Sequence, residues 1–423
     1  MIALGIAQFI VIVLIFFFEM KNRSLAVFLW GALIMVFAAP HMLDCVKGNY
    51  DANILDKASL FSFLFCVCYI IARIFQKKEK NNTLLKLANS LDIAPYKKLN
   101  TLISNVLLYI LAISVFAYFY VVYQQAGSLG AISKVAVHEA GAEMGGLSNI
   151  LLLCFVISSP VLIYFVAVKD KKKIIIVSIL VLLRSFVTMQ RSALIVLFTT
   201  IVFLLLFNKS KINMKKIITL AIIGIIAMYS FMLIRAFRYY YQFSDIVNIS
   251  LIDLNSNIFG FIDDGTSDMD LRKGMYFLIE NDNDFVGLGT GAGYLRLLLL
   301  PFPSSICFGL KPQDICLTIG HILKPGVQGF SFTPTLFGDC YANFGFLGFL
   351  LGFIWALIVK YLDSLTNKRY PLLGCLVSCL IATSYVNIAR GSIYNAMFYI
   401  FYGTVVYIFI YYLFTTYPQK VKK

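Results

Sequence analysis

Charged side chains are scarce in this sequence. Only 13% of the 423 residues are Asp, Glu, Lys or Arg, and 60% are hydrophobic, whereas soluble domains average about 25% charged and about 45–50% apolar residues. This composition excludes a set of soluble domains with one anchor, a disordered chain, a secreted disulfide scaffold and a coiled coil. Because apolar runs recur from residue 2 to residue 415, almost the whole chain is predicted to lie in a bilayer.

The motifs of several soluble enzyme classes are also missing. The sequence has three histidines and contains no HExxH, no pair of CxxC motifs and no GxSxG, so zinc peptidase and α/β-hydrolase chemistry are unsupported. No basic region precedes the first apolar run, and no small-residue cleavage site follows it. We therefore interpret that run as a retained span rather than as a signal peptide.

Apolar stretches of roughly spanning length predict an all-α polytopic fold with about eleven transmembrane helices. Residues 174–207 would be about 51 Å long as one helix, against a hydrocarbon core of about 30 Å, so they are predicted to form a hairpin that turns near Arg184–Ser192. The predicted spans are 2–18, 25–40, 58–75, 101–123, 149–168, 174–188, 192–207, 217–234, 342–359, 371–386 and 393–415.

The distribution of charge predicts the topology of these spans. Six segments hold 23 of the 36 Lys and Arg residues but only five of the 21 acids, which gives a net charge of +18 there and −3 in the rest of the chain. The positive-inside rule makes those segments cytoplasmic, so the N-terminus is predicted outside and the C-terminus inside. The segments are 19–24, 73–100, 169–173, 208–216, 360–370 and 416–423.

The outer side carries the long connections 41–57, 124–148 and about 235–341. The last of these is rich in Phe and Tyr, which is unlike a disordered segment, so we expect it to fold against the membrane surface. The predicted organisation is therefore residues 1–234 with transmembrane helices 1–8, a large outer loop at 235–341, and residues 342–423 with helices 9–11 and a cytoplasmic tail.

Arginines collect at this outer side, where positive charge does not normally accumulate. One interpretation is that they snorkel to lipid headgroups. The other is that several guanidinium forks converge on a diphosphate, because Arg binds phosphate oxygens bidentately and stays charged when desolvated. Arg184 and Arg191 are seven residues apart, on one face if the helix continues. The predicted diphosphate ligands are Arg191, Arg235, Arg238, Arg296 and Arg390.

Other candidate residues lie in the large outer loop. The alternating glycines Gly287–Gly293 predict either a flexible or tightly turned loop or close backbone approach to a phosphate or sugar. A cluster of acids predicts a solvated face, contacts with sugar hydroxyls or a divalent ion; its members are Asp263, Asp264, Asp268, Asp270, Glu280, Asp282 and Asp284. His321 lies in the same loop and is the histidine best placed to act as a base.

The stretch Phe332–Gly348 resembles the segment that enters a late span in Wzy-type polymerases, the bacterial O-antigen or oligosaccharide repeat-unit polymerases. The similarity lies in a Pro, then Gly and an acid, then an aromatic residue, Asn and a Gly-containing helix; Asp339 stands where Glu is more usual. The stretch Phe285–Gly293 resembles the Gly-rich loop segment of that family, and Gln190–Ser192 resembles its Arg-bearing hairpin.

This resemblance implies a GT-C-like membrane glycosyltransferase of the bacterial inner membrane with a periplasmic N-terminus and a cytoplasmic C-terminus. Its substrate would be an undecaprenyl-diphosphate-linked oligosaccharide, with no metal or other cofactor, and its partners would be membrane lipids and a chain-length regulator rather than nucleic acid. The candidate catalytic bases are His321 and Asp339. The candidate glycan contacts are Gly289, Gly291, Tyr341 and Asn343.

Alternative functions remain open at this point. An O-antigen ligase would share the architecture and the donor but transfer the glycan to lipid A-core, and a lipid-linked oligosaccharide flippase or a structural scaffold belongs to a different class.

Nine cysteines are present, and Cys307 and Cys316 flank a turn with Gly309 and Pro312. An oxidising compartment would let them form a disulfide; pairing of one with Cys340 or Cys45, or two free thiols, are the alternatives.

Overall fold

The structure, a computed structural model, is helical throughout the part of the chain that it describes. It describes residues 1–76, 94–128, 143–188, 192–207, 270–326, 331–365 and 370–420, together with isolated positions between 137 and 230. These residues form helices and no strand, which confirms the predicted all-α class.

The described helices are numbered in chain order. They are α1 (Ile2–Asn22), α2 (Val27–Lys47), α3 (Ala52–Phe75), α4 (Ala94–Ala126), α5 (Gly146–Ala167), α6 (Lys171–Thr188), α7 (Ser192–Phe207), α8 (Leu271–Glu280), α9 (Ala292–Leu298), α10 (Ile315–Leu323), α11 (Thr335–Phe344), α12 (Leu351–Ser364), α13 (Pro371–Ala389) and α14 (Ile393–Lys420). Turns of 3₁₀-helix interrupt α5 at Ser159–Val161, where Pro160 lacks an amide donor, and join α11 to α12 at Gly345–Leu350.

Eight segments of the described chain are long and apolar enough to cross a membrane. They are α1, α2, α3, Lys97–Ala126 of α4, α5, the continuous stretch Thr335–Ser364, α13 and Ile393–Thr415 of α14. The chain is therefore a multi-pass membrane protein. Most of the predicted span 217–234 lies outside the described residues, and the total of eleven stays a prediction.

The stretch 174–207 forms two helices rather than one. α6 and α7 pack against each other, and residues 189–191 between them lie outside the described part. The predicted division of this stretch into two helices is confirmed. The physical reason is that one helix of that length would exceed the thickness of the hydrocarbon core.

The predicted outer loop at 41–57 is wrong. α2 continues to Lys47 and α3 begins at Ala52, so the connection is only Gly48–Asp51. The apolar run ends at Pro40, but His41 and Asp44 are buried on the helix by hydrogen bonds to other helices. The hydropathy pattern cannot register this kind of burial, because it treats polar residues as solvent-exposed.

One compact unit comprises the described residues of 1–81, 266–365 and 381–401. α3 and α12 cross closely in it because Gly352 has no side chain: a Cβ there would lie 2.3 Å from the carbonyl oxygen of Phe65. Phe37 and Phe65 meet the ring of Phe337 edge-on at centroid distances of 4.8 and 5.2 Å. These rings anchor the beginning of the span Thr335–Ser364 in the core of the unit.

A buried charge cluster joins the C-terminal ends of α1, α3 and α12 in this unit. Arg73 donates two hydrogen bonds to Glu19, at 2.6 and 2.7 Å, and lies 3.7 Å from the carboxylate of Asp363. Asp363 also accepts a 2.7 Å hydrogen bond from the hydroxyl of Ser24. The ions lie within the last turns of α1, α3 and α12, so they hold helix ends together rather than lining a path through the membrane.

The second unit comprises the described residues of 82–265, 366–380 and 402–423. Arg184 of α6 is buried in it, with its guanidinium 3.8 Å from the ring centroid of Tyr118 and 5.8 Å from that of Phe155. Cation–π contact of this kind stabilises an arginine inside an apolar helix bundle. Arg184 therefore packs among α4, α5 and α6.

Candidate active site

A small pocket in the first unit lies at one end of two membrane spans. α11 and α14 begin beside it, and α9 and the start of α10 form its other walls. Its cavity volume is about 10 Å³, room for about one water molecule. Its lining residues are Gly293, Tyr294, Arg296, Leu297, Asp314, Ile315, Cys316, Asp339, Gly391, Ser392, Ile393 and Tyr394.

The buried acid of this pocket is Asp339, in the first turns of α11. Its side chain is held by Asn343, whose Nδ2 donates to Oδ1 of Asp339 at 3.1 Å and to its backbone carbonyl at 2.9 Å. Asn343 is itself fixed, because its Oδ1 accepts a 2.8 Å hydrogen bond from the amide of Gly293. Asp339 is only 3% exposed, so the pocket presents a carboxylate in a fixed orientation.

The cation of the pocket is Arg296, on α9. Its guanidinium lies over the ring of Tyr394, 4.2 Å from the centroid, and Nη1 donates to the carbonyl of Pro312. Its Nε is buried and has no hydrogen-bond partner within the described part of the chain. Arg296 therefore has an N–H group left for a ligand, on a fork that stacking holds in place.

Tyr294 closes the pocket beside Asp339 and stays neutral. Its hydroxyl accepts a 3.1 Å hydrogen bond from Trp355 and lies 3.4 Å from the sulfur of Cys340. Burial raises the pKa of Tyr294 well above its usual value, and the neighbouring Cys340 and Asp339 raise it further. The phenol is therefore a hydrogen-bond donor and acceptor at neutral pH, and not a phenolate base.

The turn between α13 and α14 holds the start of α11. The carbonyl of Arg390 accepts a 3.2 Å hydrogen bond from the amide of Thr335. Gly391 has φ +93°, and a Cβ there would lie 2.8 Å from the backbone N and O of Thr335. Gly391 and Ser392 line the pocket, whereas the side chain of Arg390 does not.

Replacing Gly391 with Ala should therefore disturb both the turn and α11. The left-handed backbone and the clash with Thr335 together should cost about 3 kcal/mol of folding free energy, measurable as a lower thermal midpoint in detergent. Gly309→Ala is the matched control, because Gly309 has φ +81° but open space around its Cβ position; it should cost only about 1–2 kcal/mol. Equal midpoints for the two variants would contradict the packing role of Gly391.

The glycines of the outer loop serve α11 rather than a phosphate. The amides of Gly289 and Gly291 donate to the carbonyls of Ala342 and Asn343, at 2.7 and 2.8 Å. A Cβ at Gly291 would lie 2.8 Å from the ring of Phe344. The predicted phosphate approach by these amides is wrong because they satisfy carbonyls at the end of α11, where helical hydrogen bonding stops. The alternative, a tightly turned loop, is what the structure has.

Several predicted site residues lie away from the pocket. His321 is exposed in the last turn of α10, and a rise of about 1.5 Å per residue places it about 9 Å along the helix from Ile315. Tyr341 is buried, with its ring edge-on to Phe61. Three of the predicted diphosphate ligands lie outside the described residues: Arg191, Arg235 and Arg238.

Of the alternatives for Cys307 and Cys316, the structure has free thiols and not a disulfide. All nine cysteines lie in the described part of the chain, and all are free thiols. The sulfur of Cys307 faces the carbonyl of Pro303 at 3.3 Å, and that of Cys316 faces the carbonyl of Gly391 at 3.3 Å. Burial raises the pKa of Cys316 well above its usual value, and Asp314 and Asp339 raise it further, so this thiol is not a nucleophile at neutral pH.

A second polar cluster, beneath α8, was missed by the sequence reasoning. Arg272 donates to both carboxylate oxygens of Asp44, and the hydroxyl of Tyr276 donates to the same carboxylate at 3.0 Å. The tyrosine oxygen lies 2.6 Å from Nδ1 of His41, whose Nε2 lies 2.7 Å from the hydroxyl of Ser59. The signal was the helical spacing of His41 with Asp44 and of Arg272 with Tyr276.

This cluster fixes α8 to α2 and α3 with a permanent charge pair. Burial lowers the pKa of Arg272, but its hydrogen bond to Asp44 and the electrostatic effects of Asp44, Tyr276 and Tyr50 together outweigh this, so the pKa is raised overall. Burial raises the pKa of Tyr276 far above its usual range, and the charge of Asp44 adds to the effect. Because the tyrosine proton goes to Asp44, His41 donates from Nδ1 and accepts from Ser59 at Nε2.

Across the described ranges, no group of three or more His, Cys, Asp or Glu side chains could hold a metal ion. Asp263, Asp264 and Asp268 lie outside those ranges, so the expected independence from metal stays a prediction.

Comparison of the chain with protein-family models, with curated proteins and with solved structures finds no match.

Proposed function

We propose that this protein polymerises undecaprenyl-diphosphate-linked oligosaccharide repeat units by glycosyl transfer, and that the pocket of Asp339 and Arg296 is where transfer occurs. The observation that carries the proposal is the meeting of a buried carboxylate and a stacked guanidinium in one pocket at the end of two membrane spans. A reaction on a lipid-linked sugar needs an acid or base and a phosphate ligand at that depth.

The proposed reaction uses these two groups on opposite sides of one sugar. A hydroxyl of the incoming repeat unit attacks the anomeric carbon of the growing chain, and its proton passes to the carboxylate of Asp339. The new C–O bond forms as the bond from the anomeric carbon to the diphosphate breaks, and the diphosphate leaves with the electron pair. Arg296 stabilises the charge that develops on this leaving group, together with the proposed ligands Arg191, Arg235 and Arg238.

The pocket has to open before it accepts this substrate. Its cavity of about 10 Å³ holds about one water molecule, so the sugar and diphosphate need a second arrangement of the walls. Binding energy from the lipid and glycan outside the pocket would be used to separate α9 from the turn at Gly391–Tyr394. In the closed arrangement bulk water is kept away from the acid and the cation.

The proposed topology has eleven spans in the bacterial inner membrane, with a periplasmic N-terminus, a cytoplasmic C-terminus and a GT-C-like arrangement. The helix direction supports it, because Asp339 and Asp363 lie at opposite ends of the stretch Thr335–Ser364. If the Arg73 and Asp363 end is cytoplasmic, as the positive-inside rule favours, the pocket faces the periplasm. A chain-length regulator would then act on the same side as the growing glycan.

Purified protein in liposomes with lipid-linked repeat units tests this function. A ladder of glycans that grows by one repeat unit per step is the expected result, and it should persist in EDTA. An enzyme that instead makes only singly capped lipid A-core, when that acceptor is added, is a ligase. Movement of the substrate across the bilayer without a new glycosidic bond would identify a flippase, and either outcome would overturn the proposal.

A further inference from the structure

A stretch of the outer loop carries no charge. Between Arg296 and Lys311 the sequence reads LLLLPFPSSICFGL, without a single Asp, Glu, Lys, Arg or His. All of it lies in the described part of the chain, from the last two residues of α9 through the 3₁₀ turn Ser304–Ile306. We call residues Leu297–Leu310 the apolar loop.

Five large apolar side chains of this loop are exposed, whereas Leu300 is buried. Phe308 is 90% exposed, Leu298 77% and Leu310 71%, and Phe302 and Ile306 are both more than half exposed. Isolated apolar residues on a surface are ordinary, but five in one uncharged loop form an exposed patch of the kind that marks an interaction surface. Water is therefore an unfavourable surrounding for this loop.

Two cations fix the base of the apolar loop. Arg296 donates to the carbonyl of Pro312, and Lys311 donates to the carbonyl of Phe302 at 2.7 Å, so the loop closes on itself. Both cations lie over the ring of Tyr394, at 4.2 and 5.4 Å from its centroid. Tyr394 is the second residue of α14, so the base of the loop is held at the boundary of a membrane span.

We propose that the apolar loop inserts into the outer edge of the lipid bilayer, with its aromatic and aliphatic side chains among the acyl chains. Lys311 at the base is placed to meet lipid phosphates, and Tyr394 lies at the level where interfacial tyrosines are enriched. Apolar side chains with basic neighbours are the pattern of interfacial membrane segments, which enter by about 5–10 Å. The insertion does not rest on the proposed enzymatic function.

Tryptophan quenching in liposomes of phosphatidylethanolamine and phosphatidylglycerol tests the insertion in the full-length protein. The variant Phe308→Trp places a reporter at the tip, and the native Trp30 and Trp355 are fully buried and give a constant background. Val286→Trp is the matched control, because Val286 is 98% exposed in a turn that follows Asp282 and Asp284. Both sites are exposed, so neither substitution should disturb folding.

The expected result is that lipids brominated near the headgroup end of the acyl chain quench most of the added fluorescence of Phe308→Trp and leave Val286→Trp unchanged. Acrylamide in the water should do the reverse. Equal acrylamide quenching of the two variants would overturn the proposal. Protection of Phe308→Trp from both quenchers would also overturn it, because the loop would then be covered by protein, either a second copy or another partner.

Discussion

Replacing Asp339 with Asn should reduce glycan polymerisation by about 10²–10⁴-fold, the usual contribution of a positioned acid or base. Asn keeps the shape and the Oδ1 acceptor that Asn343 bonds, so the helix and the membrane abundance of the protein should not change. The lost property is the ability to take a proton from the attacking hydroxyl. Polymer length on gels from a complemented deletion strain, at matched protein amounts, measures the effect.

The control for this variant is Asp284→Asn. Asp284 also lies in the described outer segment, but it is exposed and does not line the pocket. Its variant should give the wild-type ladder. A normal ladder from Asp339→Asn would remove Asp339 from the reaction, and His321 would then be the candidate base to test next.

Replacing Asp44 with Asn should cause a large loss of stability. It removes the carboxylate that accepts two hydrogen bonds from the buried guanidinium of Arg272 and leaves Asp270, at 4.0 Å, as the nearby acid. Breaking a buried ion pair from one side costs about 3–5 kcal/mol. The hydrogen bond from Tyr276 to this carboxylate would also weaken. Thermal unfolding of the purified protein, followed by size-exclusion chromatography, should show a clearly lower midpoint.

A second substitution on the same pair makes this test specific. The double variant Asp44→Asn with Arg272→Met also removes the buried guanidinium of Arg272, so it should recover a large part of the lost stability. If Asp44→Asn alone unfolds at the wild-type temperature, the ion pair does not hold α8 to α2. A double variant that is less stable than Asp44→Asn alone would contradict the role given to the buried charge.

The spans could be predicted because hydropathy and charge are read from residues that are neighbours in the sequence. The predicted spans 58–75 and 371–386 correspond to α3 and α13, and α14 carries the predicted span 393–415 within its length. What failed was the end of α2, where His41 and Asp44 continue the helix by bonding to α3 and α8. Such burial depends on residues more than 200 positions away, which no local pattern contains.

The site was predictable in its chemistry but not in its geometry. Asp339 and Arg296 were predicted as an acid and a cation of one site, and the fold places both in one pocket. The glycines and the two cysteines do lie in the local patterns that the sequence shows, but their hydrogen-bond partners in the fold are not a phosphate or each other. The amide of Gly289 is occupied by Ala342, and the thiol of Cys316 lies against Gly391 rather than against Cys307.

The most direct test of the central claim counts two products of the purified protein in liposomes with lipid-linked repeat units. If the pocket transfers sugars from a lipid diphosphate, each new glycosidic bond should release one molecule of polyprenyl diphosphate. Asp339→Asn and Arg296→Lys, which loses the planar fork, should lower both products in proportion. Polymer formed at the wild-type rate by both variants, or formed without release of the lipid diphosphate, would contradict the account.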